Sequence, residues 1–345
     1  MSVMTALDHS RALSAPASAR MQVTNVLVVV NPASRGGGRA LATVLAALRE
    51  AGVANEVIET TGPGSATVSV YERLLGDSGA FDGVISVGGD GTAMEVASGL
   101  LRLADPPAFG IVPVGTANVL ARSLGIPMSP RSAIGAILDA EAVAIDLGRV
   151  IGGSAFAIGL GVGLDAAMIG GASALLKRRI GYAAYAWSAV RAGLRMQRFR
   201  ARVTVDGIAH DVDASSVLIA NFGTVLGGMI CFGEDIGHQD GVLDVCIYSP
   251  RSFPDLVRIL WRMLFGGISA DRCVRTIRGE RVRIETEPPM AVQADGELLG
   301  LTPVEVRVQP SAIRVLAPYA RNRRSGHARP VGATAAEDSQ SSWTP

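Results

Sequence analysis

The sequence predicts an α/β protein. A doubly wound, mostly parallel sheet occupies the first part of the chain, and a mainly antiparallel β domain, sandwich or open barrel, follows. Two observations lead there. Short apolar runs alternate with amphipathic helical stretches four times between residues 25 and 124, the signature of βα units in a parallel sheet. After about residue 146 the pattern changes to period-two runs separated by turn residues, as antiparallel strands show.

The elements follow in order. "NVLVVV" (25–30) is a continuous apolar run, as buried parallel strands are, and the loop "NPASRGGGR" leads into a helix near 39–51. "NEVIET" (55–60) is a second strand, and a helix spans about Ser65 to Leu75. Strand 83–87 ends at "GGDGT" and opens a helix over 92–103. "FGIVPV" (109–114) ends at "GTAN" and opens a helix near 117–124. In the second half, "RVTV" (202–205), "SVLIAN" (216–221), "LDVCIY" (243–248), "RVRIE" (281–285) and "VEVRV" (304–308) are strands. Helical stretches at 175–196 and 253–267 interrupt them. The expected organisation is a loose leader over 1–21, an α/β domain over 22–143, a β-rich domain over 144–311 and a polar tail over 319–345.

Three loops rich in glycine or threonine, 31–38, 88–92 and 115–118, each follow a strand. In a parallel sheet the carboxyl ends of the strands share one edge, where open α/β sheets bind ligands. Gly88, Gly89 and Gly91 let a phosphate or another backbone come close. Unpaired N–H groups at a helix start attract anions. Asp90 would repel a bare phosphate, yet suits a phosphate carried with Mg²⁺ or a hydroxyl about to lose its proton. A capping turn with Asp90 or Thr92 as N-cap is the plainer reading of the same residues; three converging loops favour the ligand site.

Composition narrows the function. A hydrophobic content of 48% supports sizeable cores, and a net charge of +1 argues against a protein defined by binding nucleic acid. Cys231, Cys246 and Cys273 form no CxxC pair and read as reduced thiols of a cytoplasmic protein. The four histidines lack metal-ligand spacing. No run of roughly 18 apolar residues is free of charge, so no membrane-spanning helix is expected.

Seven motifs occur together: "NPASRGGGR", "GGDGTAMEVASGL", "PVGTANVLAR", "GLGVGLDA", "KRRIGYAAY", "QDGVLDV" and "ADGELLG". In this order they resemble the diacylglycerol kinase catalytic-domain family, which includes sphingosine and ceramide kinases and bacterial soluble lipid kinases. The resemblance covers about residues 22–318. It implies an N-terminal nucleotide-binding domain similar to NAD kinase and phosphofructokinase and a C-terminal β-sandwich-like lipid domain. The active site would lie in the cleft between them, and a final strand within 312–318 would return to the first domain. It further implies ATP and Mg²⁺ as cofactors, a lipid substrate, diacylglycerol first, met at the inner face of the membrane by peripheral contact, and leaves a homodimer open.

The same resemblance implies residue roles. Asn31, Pro32, Ala33, Ser34 and Arg35 would hold the nucleotide, with Thr60 beside it. Gly88, Gly89, Asp90, Gly91, Thr92, Ala93 and Met94 would wrap the phosphates, joined by Thr116 at a helix start. Arg179, with Lys177 and Arg178, would neutralise the triphosphate. Asp295 and Glu297 are implied catalytic carboxylates. The bacterial members give the proton-acceptor role to the Glu297 position; sphingosine kinases give it to the Asp90 position and put Glu297 on Mg²⁺. Asp165 aligns with a head-group contact, and Asp240 with the carbonyls of Gly237 and Val242 with a structural magnesium site. Alone, Asp295-Gly296 and Asp240-Gly241 would read as hairpin turns. Asn118-Val119 stands where many bacterial members have Asn-Asp, which weakens any transfer of their substrate identity.

A sphingoid-base or ceramide kinase is a neighbouring alternative. A soluble NAD kinase-like enzyme is opposed by "ADGELLG" and the long β-rich half, and a non-catalytic binding protein by the retention of Asp90, Asp295 and Glu297. The stretch 253–267, with Phe253, Trp261 and Phe265 on it and Arg258 and Arg262 four apart, has two readings: a helix lying on a bilayer, or a core helix packed on the sheet. The core reading is the favoured expectation.

Overall fold

The computed structural model describes residues 23–34, 36–76, 79–163 and 198–318. Arg35, Asp165, Lys177, Arg178, Arg179 and the helix expected at 175–196 lie outside the described residues.

Four βα units open the chain. β1 (Asn25–Val30), β2 (Ala54–Glu59), β3 (Gly83–Gly88) and β4 (Ala108–Pro113) alternate with α1 (Gly37–Glu50), α2 (Ser65–Leu75), α3 (Asp90–Leu100) and α4 (Val119–Ser123). The four strands are parallel in the order β2-β1-β3-β4. β3 and β4 are buried along their whole length, whereas edge strand β2 is half exposed. Helix α1 turns Ala40, Val44, Ala47 and Leu48 inward at helical spacing.

Two helix starts differ from the sequence reading. α3 begins at Asp90, with Gly89 as a cap that makes no side-chain bond, so neither Asp90 nor Thr92 is its N-cap. α4 begins at Val119 after Asn118 in the left-handed region (φ 46), so Thr116 precedes the helix instead of starting it.

Several elements went unnamed in the residue pattern, α5 (Pro130–Leu138), β5 (Glu141–Val150) and β9 (Ile208–Ala214) among them. α5 starts at Ser129, whose side chain accepts from Ser132 N, with proline in its first turn. β5 is rich in alanine and carries two acids, a composition that depresses strand propensity. β9 is polar because one face meets solvent.

The second half is a two-layer antiparallel structure. β7 (Gly159–Gly163), β10 (Ser216–Ala220), β13 (Leu243–Tyr248), β14 (Val274–Gly279), β16 (Ala291–Ala294) and β17 (Glu297–Leu301) form one sheet in the order β14-β13-β10-β7-β16-β17. It faces β8 (Phe199–Val205), β15 (Arg281–Glu287) and β18 (Val304–Ala317) across a core containing Leu160, Val217, Ile219, Val245, Val282 and Val306. The short strands β6 (Ala155–Phe156), β11 (Thr224–Val225) and β12 (Ile230–Cys231) complete the set.

β18 belongs to both halves of the architecture. Its first residues pair with β15, its length pairs antiparallel with β5, and Val315 and Leu316 pair parallel with Phe109 and Gly110 of β4. One ten-stranded sheet therefore runs from the parallel half into the sandwich.

The other face of the six-stranded sheet carries α6 (Phe253–Phe265), capped by Ser252 accepting from Asp255 N. Leu256 and Ile259 are buried, Ile259 in a small core with Leu218, Cys246, Tyr248 and Ile268. The core expectation therefore holds for one face of this helix only. Trp261 and Phe265 are 61% and 67% exposed. The arginines are also corrected. Arg258 bonds Asp255 (2.7 Å) and Asp271 (2.9 Å), and Arg262 reaches Asp271 (3.4 Å) and Gly267 O (3.1 Å), so both are held by their own protein.

Candidate active site

The parallel register brings the three loops to one edge. Asn31 N donates to Val87 O (3.1 Å), and Val114 N donates to Gly88 O (2.9 Å). The Asn31 amide donates to the Thr92 hydroxyl (3.3 Å), tying the first loop to the second. Gly89 and Gly115 touch: a Cβ on Gly115 would lie 2.7 Å from the Gly89 Cα. Gly88 is required for a similar reason, since its Cβ would lie 2.5 Å from that of Thr92.

Within the first loop, Asn31 Oδ1 accepts from Ala33 N, and Asn31 O accepts from the Ser34 hydroxyl (2.7 Å). Pro32 and Ala33 are exposed, while Thr92 and Ala93 are buried behind the second loop. Met94 is half-buried against the first core, and Gly91 and Thr116 face solvent. Thr60 continues β2 by donating its N–H to Val30 O (2.9 Å), at the same sheet edge.

Asp90 is held from across the gap. Its Oδ1 accepts from Leu120 N (3.1 Å) in the first turn of α4. Burial pushes its carboxyl above the ordinary aspartate range, against the N–H groups of Val119, Leu120 and Asn118, which pull it down.

The second half supplies Asp295 and Glu297. β16 and β17 form a two-residue hairpin whose central residues, Asp295 (φ 47) and Gly296 (φ 93), are both left-handed, as a type I′ turn demands. The Asp295 carboxylate turns back and accepts from Ala157 N (2.6 Å), Ile158 N (2.9 Å) and Gly159 N (3.0 Å). Desolvation pushes it up to about 6, opposed by those three N–H groups and assisted by the charge of Asp90. Glu297 is exposed, and its Oε1 lies 3.8 Å from where a Gly91 Cβ would be. Glu297 thus meets Gly91, the residue after Asp90, while Asp295 faces the backbone of 157–159.

Family models match both halves: the diacylglycerol kinase catalytic domain over residues 25–150, and the YegS C-terminal NAD kinase beta sandwich-like domain over 159–317. "Probable lipid kinase YegS-like" of Pseudomonas aeruginosa is 31% identical over 298 residues, which are 86% of this chain and 96% of that protein. This chain belongs to the diacylglycerol kinase family of lipid kinases. The diacylglycerol kinase of Bacillus subtilis is 29% identical over 77% of this chain and 86% of its own. A solved structure, of a candidate diacylglycerol kinase from Bacillus anthracis str. Sterne, superposes with a TM-score of 0.74 at 25% identity, covering 87% of this chain and 99% of that one. An uncharacterized Synechocystis protein is 28% identical over 251 residues, which are 57% of its length.

The kinase holds its site with residues that pattern reading passed over. Glu95 lies inside "GGDGTAMEVASGL", yet its carboxylate caps α2 by accepting from Gly64 N (2.9 Å) and Ala66 N (3.2 Å), while its carbonyl accepts from the Thr67 hydroxyl. Asn221, fully buried, donates to Asp146 O and Ala157 O, both 2.8 Å. Asp146 accepts from Gly241 N (2.8 Å) and Ser311 N (2.7 Å). The signal for both was a polar residue inside an apolar strand, "SVLIAN" and "AIDLG".

The residues proposed for a structural cation share one turn. Asp240 Oδ1 accepts from Val242 N (3.3 Å), and its Oδ2 lies 3.2 Å from where a Gly237 Cβ would be. Burial pushes the Asp240 carboxyl up, and its nearest cation, Arg278, stands 4.0 Å away and bonds Asp244 at 2.8 Å instead. A desolvated carboxylate so weakly paired fits a hard cation. Among the described residues no group of three or more acidic, histidine or cysteine side chains could hold a metal, so carbonyls would complete the set.

Proposed function

We propose that this kinase transfers the γ-phosphoryl group of ATP to the hydroxyl of a membrane lipid, with diacylglycerol the first substrate to test and Mg²⁺ required. The observation that carries the reading is the meeting of Glu297 with the Asp90-Gly91 turn, at the edge where three glycine loops converge. In the transfer the lipid oxygen bonds to the γ-phosphorus as the bond to the ADP oxygen breaks, and the hydroxyl proton leaves to a carboxylate. Glu297 is the acceptor, since Asp90 Oδ1 is already engaged by Leu120 N. Asp90 would hold the Mg²⁺, which when bound neutralises charge on the phosphates. Asp295 positions: its three N–H bonds fix the hairpin from which Glu297 projects. Asn31, Ser34, Thr60 and the 88–94 turn would bind the nucleotide. Labelled ATP offered with a panel of diacylglycerol, monoacylglycerol, sphingoid base, ceramide and NAD, with products identified by mass, tests the reading. Phosphorylation of NAD alone, or of nothing, ends it.

Activity and the contribution of Asp295 to stability should respond to pH in opposite directions. Asp295 works as the ionised acceptor of three N–H groups, so kcat/KM should fall as pH drops through about 6, and the burial that raises the Asp90 carboxyl adds to the loss in the same direction. Because the folded value of Asp295 lies above the 3.8 of a free carboxyl, it favours the folded state below pH 3.8 and loses that contribution as pH rises through about 6. The contribution is on the order of 1–3 kcal/mol. The difference in unfolding free energy between wild type and Asp295→Asn, followed from about pH 4 to about pH 7, should change steadily, wild type gaining on the variant toward acid. A difference independent of pH contradicts the assignment.

A second expectation concerns Gly237, Asp240 and Val242. Asp240→Ala should lower the melting temperature in Mg²⁺ and remove any rise that Mg²⁺ gives the wild type. If wild-type melting is the same in Mg²⁺ and in chelator, the turn binds no cation.

A further inference from the structure

We infer that the outer face of α6 is the surface by which the protein docks on anionic bilayers, with Trp261 and Phe265 inserted at head-group depth. This deepens the lipid-kinase reading by naming where the enzyme meets the phase that holds its substrate.

Phe253, Val257, Trp261, Leu264 and Phe265 follow one another at steps of four, four, three and one, so they share one face. All five are exposed, and the Trp261 and Phe265 rings touch at a tilt of 33°, centroids 4.1 Å apart. The opposite face, Leu256 and Ile259, is buried on the sheet, so the helix cannot turn its stripe inward. An exposed apolar stripe this continuous marks a contact surface.

Charge selects the occupant. Between residues 251 and 275 the chain carries five arginines, at 251, 258, 262, 272 and 275, against Asp255 and Asp271. Glu234, which accepts from Gly267 N, brings the carboxylates around this helix to three. The rim of the stripe is therefore net positive even though several of the arginines are paired. A second copy docking isologously would set this positive rim against itself. An anionic lipid surface complements that net charge, and an exposed aromatic pair on an amphipathic helix is the apolar half of an interfacial helix. The surface is also linked to the site: β12 packs on α6 while its partner β11 packs on α4, whose first turn holds Asp90. Met229, at the tip of the β11–β12 hairpin, is exposed as well. No described helix is long and apolar enough to cross a membrane.

The test uses the full chain and vesicles of phosphatidylcholine with or without phosphatidylglycerol. The wild type should sediment with the mixed vesicles, more strongly as the phosphatidylglycerol fraction rises. Trp261→Ser with Phe265→Ser should weaken that partition at least about tenfold and leave the melting temperature within a few degrees of wild type. Turnover of bilayer diacylglycerol should fall with it, while turnover of dispersed dioctanoylglycerol stays. If the double variant fails to fold, Leu264→Ser alone should show a smaller loss in the same direction. Unchanged vesicle binding per folded molecule overturns the inference. So does a wild-type dimer that the double variant converts to monomer, which would assign the stripe to a second copy. Absence of lipid phosphorylation by the wild type would end the phosphoryl-transfer reading instead, with vesicle sedimentation still deciding the docking surface.

Discussion

Replacing Asp90 by asparagine should leave a folded protein that does not turn over. The hydrogen bond to Leu120 N uses one carboxylate oxygen, and an amide oxygen can accept in its place, so the link between the second loop and α4 survives. What disappears is the negative charge, and with it the capacity to hold a cation against the phosphates. A loss of about a thousandfold in kcat, or about 4 kcal/mol of barrier, is expected. Because burial already raises the Asp90 carboxyl, removing its charge should not cost stability. Nucleotide binding without Mg²⁺ should change little, whereas the strengthening that Mg²⁺ confers should vanish. Turnover within tenfold of wild type in the purified, folded variant would exclude Asp90 from the chemistry.

Asp295→Ala should fail differently, in stability and activity together. Three backbone N–H groups, from Ala157, Ile158 and Gly159, lose their shared acceptor at the junction where the chain enters β7. Each unsatisfied donor costs about 1–3 kcal/mol, and relief from holding a desolvated carboxylate offsets part of the sum. A net loss of about 2–4 kcal/mol is expected, and a melting temperature lower by roughly 5–10 °C. The hairpin bearing Glu297 would lose its anchor, so kcat should drop even well below the new melting point. Glu297→Gln is the control. It removes the proposed proton acceptor from an exposed position, so turnover should collapse at unchanged stability. An Asp295→Ala protein with wild-type melting and turnover would show that water replaces the carboxylate and that the residue positions nothing.

The contrast between these two aspartates marks how far the residue pattern could be read. The parallel strands and the glycine loops were legible because burial on both faces and backbone close approach each demand particular residue types, as Val84, Ile85 and Gly88 illustrate. β9 and β5 were not, because their alternation is blurred by Ala209, Asp211, Ala142 and Ala144, whose placement is decided by partner strands far away in the chain. The site was legible as a set of motifs but not as a geometry. "ADGELLG" presents two carboxylates two residues apart, and nothing in it shows that one turns back to the 157–159 backbone while the other reaches Gly91. Helix 253–265 shows the same limit: an amphipathic pattern cannot say which of two apolar faces meets the sheet, and here Ile259 does while Trp261 does not.

The shared strand β18 has a consequence for how the chain is made. Phe109 and Gly110 in β4 pair with β3 on one side, but gain neighbours on the other only when Val315 and Leu316 arrive, about two hundred residues later. During synthesis the parallel sheet leaves the ribosome with an open apolar edge at β4, and it keeps that edge until nearly the whole described chain has emerged. Such an edge can template pairing with another chain. Truncation just before Val304 would make that transient state permanent. The fragment would hold every nucleotide loop named above and still expose Phe109 and Ile111, so its expected fate is aggregation, not an isolated nucleotide-binding half.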